Sequence, residues 1–393
     1  MKYASNIISG DIGVADVNAL KQVRDVTPGL FMLYEDNETS PFLALLSRIR
    51  QSRAAWNIKH EWAKKDFFPR WDAISAITSG NGSATIVLTP DNVDYFRKHD
   101  TVEVFSSGNH YYFYVSAVST TVTLKTFDAS VATVAVGDKM HIYSNANEEL
   151  SNSPTGKSAQ TDFEYNYPQF LRYPTTIGIL ELGTRQYTGD ERSERVKEQM
   201  LEIKMSVERT LHFGERMNVT GPDSEKLVAM RGVKRFTETG GGDNILDWSG
   251  GSLTEATFRE YLMEGPCKYG SKEKFFPMST EMWMQIDSWA GTKQAIQSAG
   301  GPINILGMSF TRYMAPNGRT LMMHHHHMYE QEYEGWAQII DLKSLALLPF
   351  GKNKLFTLHE NIQDNDLAGE KHEWRFLATL EISRNEYNGL IKR

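Results

Sequence analysis

Thr175-Thr176-Ile177-Gly178-Ile179-Leu180-Glu181-Leu182 is the stretch of sequence from which the arrangement of the rest of this chain can be worked out. Its apolar and β-branched residues predict a strand, and a long helical pattern follows and ends at Gly214. Five apolar residues of the helical pattern share one stripe: Val196, Met200, Ile203, Val207 and Leu211. The other helix positions are mostly charged, so we expect one stripe to pack against a sheet. We call this helix the spine helix. A strand that leads into such a helix, with no active-site pattern beside it, is typical of a structural protein.

Capping signals place this helix at about residues 190 to 213, a length of roughly 36 Å. Thr188 and Glu191 have the spacing of a capping box at its start. Gly214 suits the left-handed position just beyond its end.

The composition limits the class of protein. A chain of 393 residues buries a sizeable core and predicts two or three subdomains. Its 42 basic and 49 acidic side chains give a net charge of −7, without a long basic run, so the chain does not wrap nucleic acid tightly. The single cysteine, Cys267, excludes an intrachain disulfide. We see no signal peptide and no apolar stretch approaching a membrane span, so we expect no membrane partner.

Residues before the spine predict an arm and a ribbon. Thr39-Ser40-Pro41-Phe42 starts a short helical pattern, with Ser40 as the cap and Pro41 in the first turn. The next apolar stretch predicts a strand with three side chains on one face: Trp56, Ile58 and Trp62. The aromatic stretch before residue 172 reads as the returning arm of the same ribbon: Phe163, Tyr165, Tyr167 and Phe170.

Residues 74–145 differ from the rest of the chain in their sequence pattern. Short β-branched and aromatic runs alternate with turn signals such as Gly108-Asn109 and Val136-Gly137-Asp138. Five or six strands at this spacing predict a small β-barrel or sandwich, inserted at the tip of the ribbon.

The C-terminal half reads as a mixture of helices and strands. Helical patterns cover Leu253–Glu264 and Ser279–Trp289, and strand patterns cover Ile303–Tyr313 and Trp336–Asp341. A last alternating strand, His372–Ile382, is expected to return to the sheet that the spine helix covers.

The four consecutive histidines His324–His327 are the most conspicuous local motif. Alternate histidines of a strand place two imidazoles on one face, which suits a transition metal. No carboxylate or cysteine stands at a ligand spacing beside the run, so we favour freely titrating surface histidines and predict no metal site.

Other candidate sites fail on context. Gly240-Gly241-Gly242-Asp243 lacks the Gly-Lys-Ser ending of a phosphate-binding loop and predicts a connector. Thr155-Gly156-Lys157-Ser158 contains that triplet, but Ser151 stands where the upstream glycine belongs. Cys267 reads as a small buried hydrophobe rather than a nucleophile. We therefore predict no catalytic residue and no cofactor.

The order of these parts resembles the major capsid proteins of tailed bacteriophages with the HK97-type fold, in particular the subfamily with a β-domain in the extended loop. The similar stretches are the arm and ascending strand at 39–62, the insert at 105–143, the spine at 190–214, and the closing strands at 340–349 and 380–386. The implied fold class is α+β.

This resemblance implies four parts. Residues 1–57 would be the N-terminal arm and 58–172 the extended loop with its β-barrel insertion at about 74–145. Residues 173–245 and 346–393 would form the peripheral domain with the long spine helix, and 246–345 the axial domain.

The implied function is self-assembly. Copies would form pentamers and hexamers of an icosahedral shell around packaged double-stranded DNA, held without sequence-specific binding. The implied partners are a portal and separate scaffolding or decoration proteins. The chain would be made in the host cytoplasm and end in the virion. Five residues are our candidates for contacts between subunits: Trp56, Ile58, Trp62, Phe163 and Tyr165. The alternative for Trp56, Ile58 and Trp62 is that they pack on their own subunit.

Two other functions stay open from the sequence. A nanocompartment shell of the encapsulin type shares the fold and would load an enzyme, although the β-insert speaks against it. A hydrolase with a β-rich binding module would need a nucleophile, a base and oxyanion donors, which we do not find.

Overall fold

A computed structural model of the chain describes residues 40–49, 53–149, 156, 158–184, 191–240, 244–289, 302–305 and 308–393. These residues fall into two compact units. One lies within Met1–Trp62 and Glu164–Arg393, and the other is Ala63–Phe163. No helix of the described part of the chain is long and apolar enough to cross a membrane.

Helices and strands both contribute to the larger unit, whereas the smaller unit is built from strands. The α-helices are α1 (Pro41–Arg48), α2 (Ile179–Gly183), α3 (Glu191–Phe213), α4 (Val233–Gly240), α5 (Glu255–Glu264) and α6 (Thr280–Asp287). The strands of the smaller unit and its ribbon are β1 (His60–Lys64), β2 (Trp71–Ser79), β3 (Thr85–Pro90), β4 (Asp100–Ser106), β5 (Asn109–Val118), β6 (Val122–Thr126), β7 (Lys139–Asn145) and β8 (Asp162–Asn166). The later strands are β9 (Gln169–Gly178), β10 (Met217–Thr220), β11 (Lys226–Ala229), β12 (Ile245–Asp247), β13 (Glu273–Met278), β14 (Ile303–Ile305), β15 (Met308–Met314), β16 (Thr320–His325), β17 (Ala337–Ile339), β18 (Leu345–Pro349), β19 (Phe356–His359), β20 (Gly369–Ile382) and β21 (Gly389–Lys392).

Six strands close into a barrel in the order β2-β3-β6-β5-β4-β7. Alternate side chains point inward because a strand has a period of two, so Ile86 and Leu88 of β3 and Val102 and Val104 of β4 are fully buried. The structure therefore contains the small barrel that the sequence predicts, with strands from Trp71 to Asn145.

The predicted ribbon is present, but its first strand starts later than expected. β1 pairs with β8, and the chain from Trp56 to Lys59 does not form a strand. The prediction that Trp56, Ile58 and Trp62 share one face of a strand is therefore wrong, because only Trp62 belongs to β1.

The strand that leads into the spine helix is also shorter than predicted. β9 ends at Gly178, and Ile179–Gly183 form the single helical turn α2. The strand ends there because its partner ends too: Gly178 stands opposite Gly369, the first residue of β20. The predicted capping-box residue Thr188 lies outside the described residues.

The spine helix α3 packs as the stripe predicts. Ile203, Val207 and Leu211 are fully buried and belong to one core with Phe376 and Leu380 of β20. β20 pairs along ten residues with β9 and also with β18 and β19, so the last long strand does return to the sheet under the spine.

Gly214, which follows α3, is required for a different reason than the left-handed cap that the sequence predicts. Gly214 does not adopt a positive φ, so it is not a left-handed cap. A Cβ at this position would lie 2.6 Å from the carbonyl oxygen of Thr210 and 2.7 Å from that of Met230. Close backbone approach, rather than helix termination, therefore requires glycine at this position.

The second large sheet has seven strands in the order β12-β21-β17-β13-β16-β15-β14. The sequence prediction of one strand over Ile303–Tyr313 is wrong, because β14 and β15 form an antiparallel pair in this stretch. The predicted helices at 253–264 and 279–289 correspond to α5 and α6, which Thr254 and Ser279 cap with their hydroxyls.

Candidate functional site

The predicted subunit contacts occupy different environments. Trp56 is 69 % exposed and Phe163 is 62 % exposed, and Ile58 is also exposed. Large apolar side chains at such exposure are free to contact a second molecule. Their role in assembly stays a prediction.

Trp62 and Tyr165 are less available to a neighbour. Trp62 is 8 % exposed and its indole lies 6.0 Å from the ring of Phe236, in the core under the spine helix. The alternative that this residue packs on its own subunit is therefore favoured. The ring of Tyr165 is half-buried between two cations, with Lys59 Nζ at 4.4 Å and the Arg216 guanidinium at 4.0 Å from its centroid.

Sequence patterns did not single out the most exposed aromatic side chain among the residues that the structure describes. Phe67 is 99 % exposed, and Trp71 is exposed nearby at the start of the barrel. Phe67 and Phe68 line a cleft of about 590 Å³ on the barrel unit together with Tyr95 and Tyr143. Phe67 precedes the first barrel strand, so strand periodicity gave no indication of its exposure.

The structure describes Cys267, which the sequence analysis rejected as a nucleophile. Cys267 is fully buried, and burial raises the pKa of its thiol to about 11, which fits a packed side chain rather than a nucleophile. Residues 155, 157 and 241–243 of the two glycine motifs lie outside the described residues.

The histidine run leaves β16 and enters the interior at one position. His325 is exposed and contacts Thr280 and Glu330, whereas His326 is 1 % exposed. Burial lowers the pKa of His326 to about 4, against the opposing effect of Glu208. The prediction of freely titrating surface histidines is therefore wrong for His326.

Glu208 of the spine helix is the partner that the sequence did not reveal. His326 Nε2 lies 3.0 Å from Glu208 Oε1, although the two residues are 118 positions apart. Both side chains are fully buried. Burial raises the pKa of Glu208, but its interactions with the His212 and His326 imidazoles outweigh this effect and lower the pKa to about 2. The carboxylate is therefore ionised inside the protein.

The same carboxylate caps helix α1. The backbone N–H groups of Phe42 and Leu43 donate to Glu208 Oε1 and Oε2, each at 2.8 Å. Ser40, which the sequence predicts as the cap, makes no side-chain capping bond. A negative charge at a helix N-terminus satisfies free N–H groups and opposes the helix dipole. Glu208 therefore links the N-terminus of α1 to the spine helix.

His212 completes the cluster one turn after Glu208. Its Nδ1 lies 3.1 Å from Gln338 Oε1 and 3.0 Å from the Tyr329 hydroxyl, while its Nε2 lies 3.6 Å from Glu208 Oε1. His212 Nε2 is buried and has no hydrogen-bond partner. Among the described residues, Glu208, His212 and His326 have ligand atoms close enough together for a metal ion. The Glu-x-x-x-His spacing on α3 was the one sequence signal for this cluster.

A comparison with protein-family models shows one family over most of the chain. The family model described as SU10 major capsid protein matches residues 14–393. A search of curated proteins finds no match. Among solved structures, a protein of Microbacterium phage Oxtober96 has 10 % identity and a TM-score of 0.48, with 98 % of this chain and 99 % of that chain covered.

Two further structures are similar over less of the chain. The capsid of Cyanophage P-SCSP1u has 7 % identity and a TM-score of 0.42, covering 64 % of this chain and 80 % of that one. The SrpI encapsulin of Synechococcus elongatus PCC 7942 has 10 % identity and a TM-score of 0.40, covering 60 % of this chain and 77 % of that one. Because their TM-scores are below 0.5, these structural similarities carry no argument, and the family assignment rests on the family model.

Proposed function

This chain belongs to the SU10 major capsid protein family, and we propose that its copies close into an icosahedral head shell of pentamers and hexamers around packaged double-stranded DNA. Its shell-forming role and its place in the virion capsid follow from the family, whose match over residues 14–393 is the observation that carries this function. The family is a structural one, which leaves the hydrolase alternative without support.

The proposal keeps the four parts that the resemblance implies. Residues 1–57 act as the arm and 58–172 as the extended loop with the barrel. Residues 173–245 and 346–393 form the peripheral domain, and 246–345 the axial domain. Two features support this division: the separate compact unit at Ala63–Phe163 lies within 58–172, and β9, which begins at Gln169, pairs with β20 beneath the spine helix.

The partners of the shell belong to the same proposal. A portal closes one vertex, scaffolding or decoration proteins are separate chains, and synthesis takes place in the host cytoplasm. The net charge of −7 supports a container that holds DNA without gripping its phosphates.

The ribbon supplies the contacts between subunits in this proposal. Trp56 and Phe163 expose large aromatic surfaces, and burying such rings against a neighbouring copy stabilises an interface by roughly 1.5–3 kcal/mol each. Trp62 does not contribute, because its indole is already buried in its own subunit.

Electron microscopy of particles tests the function and the contacts together. We expect the wild-type chain, expressed with its head proteins, to form closed shells. The double variant Trp56→Ser, Phe163→Ser should remain folded by circular dichroism yet give many fewer shells. Phe105→Ser, which removes a similarly exposed aromatic ring from the barrel, is the matched control and should assemble normally. Wild-type chain that stays monomeric would contradict the function, and normal shells from the double variant would contradict the contacts.

A further inference from the structure

The histidine run is the sequence motif that the shell function leaves unexplained. Its member His326 turns inward to Glu208 and His212, and all three side chains are fully or almost fully buried. A buried carboxylate beside two imidazoles is a set of ligands that transition metals accept.

Two of the three spacings between the ligand atoms fit a small tetrahedral ion, and the three atoms all lie within 4.8 Å of one another. Glu208 Oε1 lies 3.0 Å from His326 Nε2 and 3.6 Å from His212 Nε2. Bonds of about 2.0–2.1 Å in a tetrahedral zinc site place neighbouring ligand atoms about 3.3 Å apart. The two observed distances lie on either side of that value.

An independent observation at His212 points to a cation. Gln338 Nε2 donates to the backbone oxygen of His212 at 3.4 Å, which turns Gln338 Oε1 toward His212 Nδ1. Gln338 Oε1 accepts a hydrogen from Nδ1, and the Tyr329 hydroxyl lies 3.0 Å from the same nitrogen. With the hydrogen on Nδ1, the lone pair of the buried Nε2, which has no hydrogen-bond partner, faces the carboxylate oxygen of Glu208. Two facing lone pairs in a buried site are unfavourable unless a proton or a metal ion lies between them, and the 3.6 Å separation from Glu208 Oε1 is long for a hydrogen bond and has room for a metal ion.

The surroundings orient two of the ligands as they do at known metal sites. Gln338 holds His212 through Nδ1, the nitrogen opposite the ligand nitrogen. The N–H groups of Phe42 and Leu43 hold the Glu208 carboxylate. His326 differs, because its Nδ1 accepts a hydrogen bond from Met328 N at 3.2 Å when Nε2 is protonated. When Nε2 binds a metal ion, the hydrogen of the His326 imidazole moves to Nδ1. Nδ1 then no longer accepts the hydrogen bond from Met328 N.

We propose that Glu208 Oε1, His212 Nε2 and His326 Nε2 bind one divalent transition-metal ion, with zinc the best match to these nitrogen and oxygen ligands. The ion enters during folding, since the assembled cluster is buried. Its role is structural: it joins Glu208 and His212 of the spine helix to His326, which directly follows β16, while Glu208 also caps α1. This inference does not depend on the shell function.

Elemental analysis of the purified full-length chain tests the proposal. The chain is grown with zinc supplied, carries no affinity tag and is dialysed against a weak chelator, and metals are counted per chain by mass spectrometry. We expect about one zinc per chain in the wild type and a large loss in His212→Gln and His326→Gln. His325→Gln changes an exposed histidine of the same run and should keep the metal.

A second measurement keeps the test valid if a ligand variant folds poorly. Wild-type chain is unfolded with a chelator and refolded with or without zinc, and its thermal midpoint is compared. We expect zinc to raise the midpoint of the wild type and of His325→Gln. Wild-type chain that contains no transition metal and shows no zinc-dependent midpoint would overturn the proposal. So would metal that is lost in His325→Gln but retained in His212→Gln, since it would belong to the surface histidines.

Discussion

Single charged residues link separate elements of this protein, and Glu373 of β20 is an example. Arg172 donates to both carboxylate oxygens of Glu373 at 2.7 Å, and Arg375 donates to one of them at 2.5 Å. The Arg172 hydrogen bond is the main cause that lowers the pKa of Glu373 from 4.5 to about 2. The pair joins β9 to β20 beneath the spine helix.

The sign of the pH dependence at Glu373 follows from the lowered pKa. The stability that this carboxylate contributes is present above pH 4.5 and is lost as the pH falls toward about 2. We expect Glu373→Gln to cost about 2 kcal/mol near neutral pH, with the difference from wild type shrinking on acidification. Denaturant unfolding across this pH range checks it. Glu360→Gln, at an exposed pair with Arg192, should cost less than about 0.5 kcal/mol, and a pH-independent Glu373→Gln effect would contradict the assignment.

At the level of helices and strands, the spine helix depends on its apolar stripe rather than on its charges. Ile203 and Val207 are fully buried against β20 and β9, while Glu198 is exposed. Intrinsic helix propensity alone does not hold such a helix in place, so its packing face carries most of its stability.

Ile203→Asp should therefore abolish folding, because it removes apolar contacts and buries a charge without a partner, at a cost of about 4 kcal/mol or more. Val207→Asp should behave in the same way. Glu198→Gln is the control on the opposite face and should fold normally. Circular dichroism and thermal unfolding of the three variants provide the measurement, and a folded Ile203→Asp chain with normal shells would show that the stripe is wrongly assigned.

Across the molecule as a whole, the barrel unit has a core of its own. Thirteen buried residues, among them Phe113 and Val122, pack inside the closed barrel, and closure leaves no free strand edge. A separate core and a closed sheet are what an independently folding domain requires.

We expect a fragment of residues 63–163 to fold alone. Circular dichroism should show a β-rich spectrum and a cooperative thermal transition. Val104→Asp, which places a charge in the barrel core, should abolish that transition, whereas Val136→Asp at an exposed site should not. A wild-type fragment without a cooperative transition would indicate that the barrel needs the rest of the chain.

Features that repeat at short range could be predicted from the amino-acid sequence. The stripe of α3, the barrel strands and the final strand β20 belong to this group, because their periods of 3.6 and 2 residues are local properties of a helix and a strand. The order of these elements along the chain also carried the resemblance to capsid proteins.

Features that depend on distant partners became visible only in the folded chain. Ile179–Gly183 turns into a helix because β20, the partner of β9, begins at Gly369. Trp62 lies inward because Phe236 is there to pack against it. Glu208, rather than Ser40, caps α1, and His326 reaches Glu208 across 118 positions. No local pattern encodes such contacts, because the free energy that forms them comes from burial of groups that meet only after folding.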